Sequence, residues 1–92
     1  MAVFKIIATR AGPQAHTAEF DIVVIAGKLV VGDVFFCFNP HHPIEFMISE
    51  LRATPTHTRV ICAGEIGFPN QYVGATVDNS ATRRPFAFRY DK

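Results

Sequence analysis

Glycine and proline interrupt this chain at short intervals, and between the interruptions apolar and polar residues alternate with a period of two. That pattern restricts it to short extended segments, because successive side chains of a strand point to opposite faces. Val3 to Thr9 sets Phe4, Ile6 and Ala8 against Lys5 and Thr9, and Ala11-Gly12-Pro13-Gln14 then turns the chain. Beyond it, Phe20, Ile22 and Val24 point inward and Glu19 and Asp21 outward. Val23 and Ile25 make both faces apolar, as expected for a strand lying between layers or under a loop. Gly27-Lys28 and Gly32-Asp33 break the run, and Val34 to Phe38 resumes it.

Asn39-Pro40-His41-His42-Pro43 reads as a loop, since two prolines remove ladder donors and fix φ. Ile44 to Leu51 reads as a strand, against a helical alternative in which Ile44, Met47, Ile48 and Leu51 share one stripe. Further strands are expected at Arg59 to Ala63, Tyr72 to Val77 and Pro85 to Tyr90. The turns between them fall at Ala53 to His57, Gly64 to Asn70 and Asp78-Asn79-Ser80. This succession predicts an all-β fold, a small six- to seven-stranded antiparallel, Greek-key-like β-barrel. A length of 92 residues leads to the expectation of a single domain, 1–92, without room for a second. Nine Phe and no Trp supply a core of rings and branched aliphatics.

Nine basic and eight acidic side chains leave a net charge of +1, which gives no global argument for nucleic acid. Cys37 and Cys62 lie in apolar runs and read as small buried hydrophobes; a disulfide between two strands is the other reading. No apolar run reaches the ~18 residues of a membrane span, and Met1-Ala2-Val3-Phe4-Lys5 has no signal-peptide pattern. A cytoplasmic protein is the resulting expectation.

The segment Ala26-Gly27-Lys28-Leu29-Val30-Val31-Gly32-Asp33-Val34-Phe35 resembles the second domain of translational GTPases, the elongation-factor-type β-barrel. In that family a glycine precedes an apolar strand-to-strand corner, and a Gly-Asp or Gly-Glu opens the next strand. Gly27, Gly32 and Asp33 are the matching corner residues, with glycine supplying dihedrals that a Cβ would block. Ala63-Gly64-Glu65-Ile66-Gly67 and Val73-Gly74-Ala75-Thr76-Val77 are similar to the family's closing strands. No G-x-x-x-x-G-K-[ST] loop occurs, so the GTPase activity is not implied. What the resemblance implies is a binding module for a protein or RNA partner, not an enzyme and without a cofactor.

Three groups of side chains invite chemistry. Arg83, Arg84 and Arg89 alternate with Phe86, Phe88 and Tyr90, as in single-strand nucleic acid binders. The rival account makes those rings the core face of a last strand and the basic residues, with Lys92, part of a solvated tail. His41, His42 and His57, and more remotely His16, suggest a metal- or ligand-binding barrel; the plainer reading is exposed loop histidines. Cys37 precedes His41 by four residues, but the flanking Phe36 and Phe38 would raise the thiol pKa, which favours a structural role. Glu19 and Asp21 share a face at i, i+2 and read as a solvated pair. Pairing of exposed edges such as Val34 to Phe38 with a second copy, giving a homo-oligomer, is the third functional reading.

Overall fold

The computed structural model describes residues 2–39, 42–64, 73–78 and 88–90, with side chains for 2–35, 45–64 and 73–78. Its strands are β1 (Ala2–Ala11), β2 (Thr17–Gly27), β3 (Val34–Asn39), β4 (His42–Ala53), β5 (Thr58–Ala63), β6 (Ala75–Asp78) and β7 (Phe88–Tyr90). All pairings are antiparallel, in the order β3-β4-β5-β2-β1-β6-β7. Strand β3 packs back against β6 and β7, which rolls the sheet into a nearly closed barrel. Strands β3, β4 and β5 form a meander whose last member lies beside β2, a Greek key. No helix among the described residues is long and apolar enough to cross a membrane.

The interior is built by alternation, as expected of a sheet with one solvated face. Phe4 and Ile6 of β1, Ala18, Phe20 and Ile22 of β2, Phe46 and Ile48 of β4, and Val60 and Cys62 of β5 are all buried. At the centre four rings meet. Phe20 stands edge-on to Phe35 and Phe46 at centroid distances of 5.4 and 5.0 Å. Phe4 meets Phe35 edge-on at 5.2 Å, and Phe35 stacks on Phe46 at 5.5 Å. Edge-to-face pairs suit the ring quadrupole, so these contacts add to the gain from burial.

Three β-bulges interrupt the alternation and account for most departures from the period-two reading. In the β1–β2 ladder Ile6 pairs with Ile22 but Ala8 with Asp21, so Ile7 has no partner opposite. Thr9 then pairs with the buried Phe20, and Arg10 with Glu19. Residues directly opposite share a face, so beyond the bulge Thr9 turns inward and Ala8 outward, the reverse of the sequence expectation. A second bulge places Ile25 between the pairs Phe4–Val24 and Val3–Ala26. The third, at Ser49 of β4, lets the Ser49 hydroxyl donate to the Ile61 carbonyl at 3.0 Å.

Within the stretch read as a loop, Asn39, His42 and Pro43 are strand, and Pro40 and His41 lie outside the described residues. Asn39 pairs with His42 and Phe38 with Pro43. Proline is tolerated there because the β4–β5 ladder starts only at Met47, so Pro43 lies where β4 pairs with β3 alone. Strand β6 begins at Ala75, two residues after Val73. Gly74, at φ 91°, donates its N–H to the Ile6 carbonyl at 2.8 Å.

The corner between β2 and β3 is a closed turn. Asp33 N–H donates to the Val30 carbonyl at 3.1 Å, and the Asp33 carboxylate accepts from Val30 N–H at 3.0 Å. Gly27 and Gly32 have φ of 77° and 97°. A positive φ at the third turn position is type II geometry. The turn is tied to β4 by Gly32 N–H to the Ile48 carbonyl and Ile48 N–H to the Asp33 carbonyl, both 2.8 Å. A Cβ on Gly32 would meet nothing within 4 Å, so the cost of replacing it is the backbone's alone. Gly32→Ala is expected to lose about 1–2 kcal/mol, with a smaller loss for Gly32→Asn. Thermal melts check this, and an unchanged Tm for Gly32→Ala would contradict the turn.

Cys62 is a free, fully buried thiol, and burial pushes its pKa up to about 12. It is expected to resist iodoacetamide at pH 8 until urea unfolds the protein, read by peptide mass mapping. Labelling at equal rates with and without urea would place it outside the core.

Candidate functional site

Of the residues singled out by sequence, Arg83, Arg84 and His41 lie outside the described residues, as do Phe86 and Lys92. Arg89 lies in β7, paired by register with Thr76, and Phe88 and Tyr90 stand opposite the buried Val77 and Ala75. The side chains of Cys37 and His42 are also outside the description. His42 opens β4, whereas His57 follows its far end, in the turn to β5. Along a 12-residue strand that separation is on the order of 30 Å, so one metal ion cannot take both. His16 sits in the β1–β2 connection at φ 58°, exposed, with its carbonyl accepting Gly64 N–H at 2.9 Å. Among the described residues no group of three or more His, Cys, Asp and Glu is placed to hold a metal.

The structure gathers instead a cluster on the outer wall, where β1, β2, β5 and the β4–β5 turn meet. The bulge at Ile7 turns Arg10 toward Glu19 and Asp21 of β2. Its Nη1 and Nη2 donate to the two Asp21 carboxylate oxygens at 3.1 and 2.7 Å, and its Nε donates to Glu19. Arg59, directly opposite Asp21 across the β2–β5 ladder, donates through Nε to Asp21 Oδ1 at 3.0 Å. Asp21 is therefore only 8% exposed, although it lies on the outward face. This corrects the expectation of a solvated Glu19–Asp21 pair: the covering guanidiniums, not the sheet, take Asp21 out of water.

Two opposing effects act on Asp21. Burial favours the neutral carboxyl, but the hydrogen bonds and charges of Arg10 and Arg59 outweigh it and hold the carboxyl below the usual aspartate range. The bond to Asp21 in turn raises the Arg10 guanidinium, against a smaller lowering by burial.

His57 closes the cluster from the turn. The turn itself is held by Thr54, which accepts His57 N–H at 3.1 Å and donates its hydroxyl to the His57 carbonyl at 2.8 Å. His57 Nδ1 lies 3.2 Å from Thr54 Oγ1 and 2.9 Å from Thr56 Oγ1. Its Nε2 is buried 3.5 Å from Asp21 Oδ1 and makes no hydrogen bond. Both carboxylates are engaged by arginine, so neither stands free as a base or a ligand. It is a structural clasp.

Beside the clasp the same wall is apolar. Ile7, Val23 and Ile25 are 42%, 41% and 61% exposed. Val23 and Ile25 were expected under a covering layer; the described residues provide none. Both isoleucines are the unpaired residues of the bulges and, like Val23, point away from the barrel. Lys5 pairs with Val23 across the ladder and lies among them. At the corner, Val30 and Val31 are also exposed, at 48% and 61%.

Comparison with protein-family models, with curated proteins and with solved structures found no match.

Proposed function

We propose that this chain is a binding module rather than an enzyme, a β-barrel that docks a protein partner on the outer wall of β1 and β2. The observation that carries the reading is the outward exposure of Ile7, Val23 and Ile25 along one wall of the β1–β2 ladder. Exposed apolar patches with polar surroundings mark interaction surfaces. The resemblance of the Gly27 to Phe35 corner to the elongation-factor-type barrel points the same way, toward a positioning domain.

Between protein and RNA, the ion pairing favours protein. Arg10 and Arg59 are matched by Glu19 and Asp21, and Arg52 by Glu50 at 3.0 Å. These arginines lack the uncompensated charge that phosphate contacts require. An RNA reading rests on Arg83, Arg84 and Arg89. A cytoplasmic location is part of the proposal, since the unpaired Cys62 thiol suits a reducing compartment.

The test is a photo-crosslinking residue placed at Ile25 or, as a control, at Arg52, in the cells that make the protein. A discrete heterologous adduct from position 25 alone is expected, and Ile7→Asp should abolish it while leaving Tm nearly unchanged. An adduct of twice the chain mass would favour self-association instead. No adduct from position 25, together with a salt-sensitive RNA mobility shift of the purified protein, would overturn the reading in favour of nucleic acid.

A further inference from the structure

No further inference is drawn: the strongest candidate, the His57 side chain buried against Asp21 in the outer-wall ion cluster, carries nothing because Arg10 and Arg59 already engage the carboxylates there and nothing in the structure points to a ligand.

Discussion

Replacing Phe20 with alanine is expected to cost the fold about 3–5 kcal/mol. A domain of this size has a total stability of roughly 5–14 kcal/mol, so the loss removes about a fifth or more of it. The reason is position. Phe20 is fully buried and touches two of the other three central rings edge-on, and those rings come from β3 and β4, remote in sequence. Truncation leaves a ring-sized void that strands on both sides cannot close, and it removes two aromatic contacts as well. Phe20→Leu keeps most of the volume and should cost less than about 2 kcal/mol. Urea unfolding followed by far-ultraviolet dichroism measures both. If the two variants share one midpoint, Phe20 is not the centre of the core.

The second large effect is expected at Asp21. Asp21→Ala removes the acceptor of three arginine hydrogen bonds and leaves Arg10 and Arg59 crowded together with only Glu19 between them. Breaking a fully buried ion pair costs about 3–5 kcal/mol, but both guanidiniums keep partial access to water here, so a loss of about 2–3 kcal/mol is expected. The pH dependence has a definite sign. The folded carboxyl titrates below the usual aspartate range, so the unfolded chain binds the proton more readily. Its stabilisation is therefore complete above the ordinary aspartate pKa and is lost as pH falls through the lower, folded one. Wild-type stability should decline in acid more steeply than that of Asp21→Asn, and parallel acid limbs would remove Asp21 from the account.

The sequence carried the fold class because glycine, proline and period-two alternation are local signals. It also located the corner glycines, whose need for positive φ is a property of single residues. What it could not carry was the parity change at each bulge. Ile48 and Leu51 both face the interior, three residues apart, because Ser49 is an extra residue between them. That same offset created the helical alternative for Ile44 to Leu51. The clasp was hidden for a related reason: Arg10 reaches Asp21 only after Ile7 has shifted the alternation, and Arg59 arrives from β5 through a pairing with no local signature. A hint was present in Arg10, Glu19, Asp21 and Arg59, charges of opposite sign in neighbouring strand candidates, but not their order across the sheet.

Those unpaired ladder residues also set the rules for length variation. Deleting one residue within a regular stretch of β1 would exchange lumen and exterior for everything beyond it. Deleting Ile7 would not: it would mend the ladder and leave Ala8 opposite Asp21, Thr9 facing the lumen and Arg10 facing out. Chains that share this architecture should therefore lose a residue at position 7 far more readily than one from the regular stretch beside it, so that permitted gaps gather at the unpaired positions.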